Sequence, residues 1–180
     1  MMNGDVELWL KELAEPFLEE VGLQSNQQVL DFGCGPGYYV IPAARIVGVE
    51  GRIYALDKSA EVLSELRERA AQENLGNIEI IQTSGKLVIP LDDEAVDTVL
   101  LYDVIHSHYF SEKDRLTLLS EIHRVLKADG LFSIYPSHMD AEAIMKLIAQ
   151  TRFQYIESIQ KTLLHFGSLQ EDQILNYRRI

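Results

Sequence analysis

Short apolar runs that alternate with amphipathic stretches are the feature that most constrains how this chain can fold. The runs QQVLDFGCGPG, GRIYALD, NIEIIQTSG, VDTVLLYDV and GLFSIYPSH have the length and the aliphatic content of buried strands. Between them, residues 38–47, 59–74 and 114–126 carry apolar side chains at helical spacing, and Ser59 is the predicted N-cap of the second helix. Strands that alternate with helices predict a parallel sheet covered by helices.

The pattern changes towards the end of the sequence. After a predicted helix at 140–150, the segments FQYIESIQKTLLHF and QILNYRRI are separated by a Gly-Ser turn and by no helix. Two strands joined in this way pair as an antiparallel hairpin. The sequence therefore predicts an α/β fold with a doubly wound, mostly parallel seven-stranded sheet that ends in a C-terminal antiparallel hairpin.

The first segment, 5–21, predicts one amphipathic helix. Asp5 is its expected N-cap, and Pro16 is the expected site of a kink. The apolar side chains on one face are Val6, Trp9, Leu10, Leu13, Phe17 and Val21. We expect a single domain over 1–180, made of an N-terminal helix at 1–27, a cofactor-binding core at 28–138, and a C-terminal helix and hairpin at 139–180.

Composition narrows the classes of protein. An apolar share of 47% over 180 residues is enough for one buried core, and no run reaches the roughly 18 to 20 apolar residues of a membrane span. The single cysteine, Cys34, can form no internal disulfide and rules out cysteine-cluster metal sites, so we expect a cytoplasmic protein without a metal site. A formal net charge of −12 would repel a phosphate backbone, which argues against nucleic acid as a partner.

The loop after the first strand carries the strongest chemical signal. Residues 33–37 read G-x-G-x-G, and glycines at such a position let backbone N–H groups approach a ligand. Pro36 lacks an N–H that could bind a pyrophosphate, and Asp31 stands at the end of the strand, where its carboxylate favours a cation. Asp57 ends the second strand, where a carboxylate can accept hydrogen bonds from ribose hydroxyls. This combination favours a phosphate-free cationic nucleoside over a dinucleotide.

Four segments together resemble a known family. VLDFGCGPG followed by ALD, then VDTVLLYDVIHS and EIHRVLKADGLFSIYPSH, resemble the ordered motifs of class I S-adenosylmethionine-dependent methyltransferases over about 28–137. The resemblance is closest to the small-molecule group, methyltransferase type 11, which includes quinone-biosynthesis C-methyltransferases. It implies a Rossmann-like fold and methyl transfer from S-adenosylmethionine to a small-molecule acceptor, with S-adenosylhomocysteine as product.

The resemblance also implies where the cofactor lies. Asp31 and the glycines would hold its methionine end, Asp57 its ribose, and Lys58 would flank the adenine, while Tyr102 and Asp103 would line the methionine side. The implied cofactor-binding residues are Asp31, Gly33, Cys34, Gly35, Gly37, Tyr38, Asp57, Lys58, Ser84, Gly85, Tyr102 and Asp103.

The third strand departs from the family pattern. The family usually ends this strand with an acidic residue near the adenine amine, whereas this chain has Thr83, Ser84 and Gly85. The adenine would then be bound by the Ser84 hydroxyl or by backbone groups.

Histidines supply the candidate catalytic residues. Methyl transfer from a sulfonium is an in-line displacement with a built-in leaving group, so the main remaining need is a base for the proton of the acceptor. His106 and His138 are the candidate bases, and His108 is a further one, because they follow strands at the carboxyl edge, where ligands bind in open α/β sheets. His123 and His165 fall within a predicted helix and a predicted strand, so surface or core roles are expected for them.

The absence of certain motifs from the sequence narrows the class of methyl acceptor. No N-P-P-Y-like or D-P-P-Y-like segment follows the fourth strand and no Pro-Cys pair exists, so the resemblance does not extend to enzymes that methylate nucleic acid bases. Little sequence lies outside the core, which leaves an open cleft, closure by a second subunit in a homodimer, or a lid formed by the helix around Trp9 to Phe17.

Two other functions stay open: a protein that binds S-adenosylmethionine without transferring a methyl group, and a nicotinamide-dependent oxidoreductase, which Asp31 and Pro36 disfavour.

Overall fold

One seven-stranded sheet forms the centre of the protein, in a computed structural model that describes residues 3–106 and 109–180. The strand order is β3-β2-β1-β4-β5-β7-β6. The strands are β1 (Gln28–Phe32), β2 (Arg52–Asp57), β3 (Ile78–Gln82), β4 (Val96–Tyr102), β5 (Leu126–Tyr135), β6 (Phe153–His165) and β7 (Ser168–Arg179). Neighbours among β1 to β5 pair in parallel, whereas β7 is antiparallel to both β5 and β6. The predicted sheet and its C-terminal hairpin are confirmed.

Helices cover both faces of this sheet. They are α1 (Gly4–Leu8), α2 (Ala14–Val21), α3 (Val40–Val47), α4 (Ala60–Gln72), α5 (Glu112–Val125) and α6 (Ala141–Ile148). The Ser59 hydroxyl caps α4 as predicted, by accepting a hydrogen bond from the Val62 N–H. Helix α3 begins two residues later than expected, because Gly37 is left-handed at φ +87° and its N–H closes a turn onto the carbonyl of Cys34. None of the helices in the described ranges is long and apolar enough to cross a bilayer.

The N-terminal segment differs from its prediction in two details. Its N-cap is Asn3 and not Asp5, because the Asn3 side chain accepts from the Asp5 N–H while the Asp5 carboxylate accepts from the Leu169 N–H, 3.1 Å away on β7. The irregularity expected at Pro16 takes the form of a π-helical turn at Trp9–Leu13, between α1 and α2. Pro16 itself lies in the first turn of α2, where a missing N–H costs least.

Two hydrophobic clusters hold the layers together. One packs α2, α3 and α4 against one face of the sheet, and the other packs α5 and α6 against the opposite face. Trp9 and Phe17 belong to the first cluster and are 0% and 4% exposed. The segment considered as a lid is therefore part of the packed core.

The topology gathers several strand ends at one edge. The parallel strands β1, β2, β4 and β5 all finish there. Strand β6 finishes there as well, since it is antiparallel to β7, which is itself antiparallel to β5. Side chains from distant parts of the sequence consequently meet at this carboxyl edge, which is where ligands bind in open α/β sheets.

Candidate functional site

The glycine-rich loop joins β1 to α3 and lies against the end of β2. The N–H groups of Gly33 and Cys34 donate to the carbonyl of Leu56 at 2.7 and 3.0 Å. Gly33 is left-handed at φ +80°, and a Cβ placed there would lie 2.4 Å from the Cγ2 atom of Val104. At Gly35, by contrast, no heavy atom of the described residues lies within 4 Å of the position a Cβ would take, apart from the glycine itself and its two neighbours in the sequence. Gly33 is thus required by packing, whereas Gly35 borders open space.

Asp31 is a buried carboxylate at the end of β1. It is 3% exposed, and no residue in the described ranges donates a hydrogen bond to it. Burial, together with the negative charge of Asp57, raises the pKa of the Asp31 carboxyl to about 7. A cationic group placed beside Asp31 would offset both effects.

Asp57 organises the loop in addition to ending β2. Its Oδ2 atom accepts a hydrogen bond from the Gly35 N–H at 3.0 Å, and its Oδ1 atom accepts one from the Ser59 N–H at 2.9 Å. Each carboxylate oxygen can accept a second hydrogen bond, so the group can still bind hydroxyls of a ligand. The ligand role of Asp57 stays a prediction, and these two contacts show that the carboxylate also holds the backbone of the loop and of the turn before α4.

The residues predicted for the adenine side are the most exposed. Lys58, Ser84 and Gly85 are all exposed, and the Lys58 Nζ atom lies 5.9 Å from the centre of the Tyr109 ring. Tyr38 is half-buried, with the Arg69 guanidinium 5.0 Å above its ring. Among the described residues 83–95, which link β3 to β4, no acidic side chain is buried. This agrees with the sequence, which has Thr83, Ser84 and Gly85 where the family usually has an acidic residue.

Two of the predicted cofactor-binding residues, Cys34 and Tyr102, are buried. Cys34 is a free thiol, and burial raises its pKa strongly, so it stays protonated and unreactive. Tyr102 is 5% exposed, and its hydroxyl shares a hydrogen bond of 2.8 Å with the Ser133 hydroxyl. Its ring packs edge-on against Tyr39, with the two centres 4.9 Å apart.

Asp103 follows β4 and is surrounded by histidines. Its backbone is left-handed at φ +58°, and its N–H donates to the carbonyl of Tyr135 at 3.0 Å, which fixes it to the end of β5. The Asp103 Oδ1 atom lies 3.4 Å from the Nε2 atom of His106 and 3.8 Å from the Nε2 atom of His138. The Ser137 hydroxyl donates to the same Oδ1 atom. Both predicted catalytic residues therefore share one carboxylate; His108 lies outside the described residues.

His165 is the member of this cluster that the sequence missed. It ends β6, and its Nδ1 atom lies 2.9 Å from the Oδ2 atom of Asp103. The two atoms are not aligned for a hydrogen bond, and the Nδ1 atom is buried without a hydrogen-bond partner among the described residues. The predicted hairpin was a partial signal: because β7 lies between β5 and β6 and is antiparallel to both, β6 runs in the same direction as β5 and its last residue reaches the ligand edge.

Comparisons with known proteins agree with this architecture. Residues 29–130 match the family model described as "Methyltransferase domain". Demethylmenaquinone methyltransferase of Geobacillus kaustophilus (strain HTA426) is 30% identical over 117 residues, which cover 65% of this chain and 48% of that protein. The corresponding protein of Lactiplantibacillus plantarum is 25% identical over 169 residues, which cover 86% of this chain and 70% of that protein.

A solved structure extends the likeness over the whole fold. The crystal structure of a SAM-dependent methyltransferase from Aquifex aeolicus superposes with a TM-score of 0.77 at 23% identity, covering 97% of this chain and 93% of that one. This chain spans about half the length of the Geobacillus relatives, 47 to 49%. Since the family model covers more than half of the chain, from β1 to β5, the chain belongs to the methyltransferase domain family.

Proposed function

We propose that this protein transfers a methyl group from S-adenosylmethionine to a small-molecule acceptor and releases S-adenosylhomocysteine. The observation that carries the proposal is the buried Asp31 carboxylate at the end of β1, which has no hydrogen-bond donor among the described residues. The methionine ammonium of the cofactor is a cation of the kind that such a carboxylate binds. A dinucleotide would instead bring a pyrophosphate to Asp31.

The other predicted residues fit the rest of the cofactor. The second lone pairs of the Asp57 oxygens are available to ribose hydroxyls, because the two backbone donors use only one acceptor direction on each oxygen. Lys58, Ser84 and Gly85 are exposed on the adenine side. Asp103, fixed at the end of β4, borders the methionine side. The cofactor, when bound, supplies an activated methyl group on a sulfonium leaving group.

On the acceptor side, His106 and His138 are the proposed proton acceptors. Both lie within 3.8 Å of the Asp103 carboxylate, which would orient them and stabilise a positive charge on either ring. The remaining task of the site is to align acceptor and methyl group, which supplies much of the rate in a displacement of this kind. The similarity to demethylmenaquinone methyltransferases supports an organic ring compound as acceptor, and the net charge of −12 argues against nucleic acid.

The proposal is tested in two steps with the intact chain. The first is a calorimetric titration with S-adenosylhomocysteine and, separately, with NAD(H); binding of NAD(H) alone would overturn the cofactor assignment. The second is incubation with S-adenosylmethionine carrying a labelled methyl group and a metabolite extract, followed by mass identification of the labelled product. Tight cofactor binding without any labelled product across extracts would favour a binding protein or a subunit of a larger enzyme.

The proposal also includes the cellular location and the oligomeric state of the protein. The lone buried thiol Cys34 supports a reducing, cytoplasmic environment. The exposed rim of the site, with Tyr109 and Phe166 at 70% and 80% exposure, supports either an open cleft or closure by a second copy in a homodimer. Sedimentation of the protein with and without S-adenosylhomocysteine separates the two arrangements.

Ligand binding at Asp31 should release a proton. Burial raises the pKa of this carboxyl from 3.8 to about 7 in the protein without ligand, so the group is largely protonated at about pH 6. A bound ammonium favours the ionised form, so binding of S-adenosylhomocysteine at that pH is expected to release close to one proton. Calorimetry in buffers of different ionisation enthalpy measures this number, and Asp31→Asn should reduce it towards zero.

The same carboxyl should make the stability of the ligand-free protein depend on pH. Between 3.8 and about 7 the folded protein holds a proton that the unfolded chain has lost, so the contribution of Asp31 to stability falls as the pH rises through this window. The slope from one such group is at most about 1.4 kcal/mol per pH unit. Urea denaturation of the natural chain and of Asp31→Asn across the window checks this: the difference in stability between the two should change with pH, and a difference that stays constant would mean that Asp31 is already ionised.

A further inference from the structure

We propose that Asp103, His138 and His165 bind one divalent transition-metal ion at the carboxyl edge of the sheet. These residues come from three separate places: the end of β4, the segment after β5, and the end of β6. Together they offer one carboxylate oxygen and two imidazole nitrogens. This donor set suits zinc, cobalt, manganese or ferrous iron better than it suits calcium or magnesium, which prefer oxygen ligands.

The spacing of the donor atoms fits a single ion. One donor atom from each residue lies within 4.8 Å of the other two. The His165 Nδ1 atom is 2.9 Å from Asp103 Oδ2, and the His138 Nε2 atom is 3.8 Å from Asp103 Oδ1. Two ligands held at about 2.0 to 2.2 Å from the same ion are roughly 3 to 3.6 Å apart. The pair formed by His165 and Asp103 already has about this spacing, and a side-chain rotation would have to bring the His138 nitrogen closer to the other two donors.

The Nδ1 atom of His165 is the observation that points to a ligand. It is buried, and it has no hydrogen-bond partner among the described residues even though a carboxylate oxygen is 2.9 Å away. A buried polar atom left without a partner destabilises the folded protein. An ion between the nitrogen and the carboxylate would use the lone pair of each, which explains why the two groups face one another without being aligned for a hydrogen bond.

The surroundings have the features of a supported site with one open side. The Ser137 hydroxyl donates to the Asp103 carboxylate, and the Asp103 N–H is tied to the carbonyl of Tyr135, so the carboxylate is oriented from outside the three ligands. The His165 side chain is 11% exposed and that of His138 is 40% exposed. The ion would therefore have protein on one side and room on the other for water or an acceptor oxygen. The sequence predicted no metal site, since a single cysteine excludes sites built from cysteine clusters; a site of histidines and a carboxylate needs no cysteine.

Metal binding does not rest on the proposed methyl transfer, because it can be measured without cofactor or acceptor. If the ion is present, His138 is a ligand and the proton of an acceptor would fall to His106. A hydrogen-bonded Asp103 and histidine network without an ion is the competing explanation of the same distances.

The test uses the full chain without an affinity tag, freed of metal by a chelator. Titration with Co²⁺, followed by visible absorption, is expected to give one ion per chain, and Zn²⁺ should displace it in competition with a chromogenic chelator. The variants Asp103→Asn, His138→Ala and His165→Ala should each weaken binding by at least about tenfold. The matched control is His123→Ala, because His123 lies on α5 with its Nε2 atom 3.2 Å from the carbonyl of Ile180, away from the cluster.

A second measurement, of the unfolding temperature, tests the proposal even if a variant is less stable than the natural chain. Ions that bind the folded state raise the unfolding temperature, so Zn²⁺ should stabilise the natural chain and His123→Ala but not His165→Ala. The proposal is overturned if no stoichiometric binding occurs, or if His165→Ala binds and is stabilised as strongly as the natural chain.

Discussion

Replacing Asp57 by alanine is expected to weaken binding of S-adenosylhomocysteine by about 1.5 to 3 kcal/mol, or roughly ten- to 150-fold in Kd. Two effects add. The ligand loses the acceptors for its ribose hydroxyls, and the N–H groups of Gly35 and Ser59 lose the carboxylate that holds them at 3.0 and 2.9 Å. The first effect acts on the ligand directly and the second loosens the loop that borders it. Calorimetric titration of the variant measures their sum.

The control for this variant is Glu79→Ala. Glu79 is an exposed carboxylate on the neighbouring strand β3, paired with Arg52 at 3.0 Å, so its removal changes the net charge equally but leaves the loop intact. The control should bind the ligand as the natural chain does. Circular dichroism and urea denaturation establish that Asp57→Ala is folded under the conditions of the titration. Unchanged affinity in a folded Asp57→Ala protein would remove Asp57 from the ligand site.

The order of strands and helices was predictable because each element carries its own periodicity. The apolar run that ends at Asp57 and the helix capped by Ser59 are local patterns, and the handedness of the connections then fixes their place in a parallel sheet. The details that failed depend on contacts across the fold. Asn3 takes the N-cap because the carboxylate of Asp5 is engaged by Leu169 on β7, a partner that no local pattern reveals.

The residues of the candidate site divide in the same way, into those that local sequence patterns place and those that only contacts across the fold place. Asp31, Asp57 and the glycines were predictable because strand ends and loop spacing fix their position relative to the sheet. The role of His165 was not, because it depends on the hairpin carrying residue 165 back to the edge where Asp103 lies, more than 60 positions earlier in the sequence. Proximity of this kind follows from the strand order and the strand directions together, whereas the sequence predicted only that the two hairpin strands are antiparallel to each other.

Trp9→Ala is expected to lower the free energy of unfolding by about 3 to 5 kcal/mol, the usual cost of truncating a large aromatic side chain in a core. Trp9 is 0% exposed, and its ring centre lies 5.7 Å from that of Phe17 and 5.0 Å from that of Tyr39. Its Nε1 atom donates to the carbonyl of Tyr38 at 2.9 Å, directly after the glycine-rich loop. The variant therefore removes both a packed ring and an anchor of the loop.

Trp9→Phe keeps an aromatic ring in the cluster, and it removes the hydrogen bond to Tyr38 together with only part of the ring volume. Its loss should be smaller, about 1 to 2 kcal/mol. Urea denaturation should be followed by circular dichroism, since Trp9 is the only tryptophan and its fluorescence disappears with it. A loss below about 1 kcal/mol for Trp9→Ala would mean that the π-helical turn unfolds independently of the sheet. The expected loss would instead make this segment, which precedes the part matched by the family model, a cooperative support of the loop that borders the cofactor site.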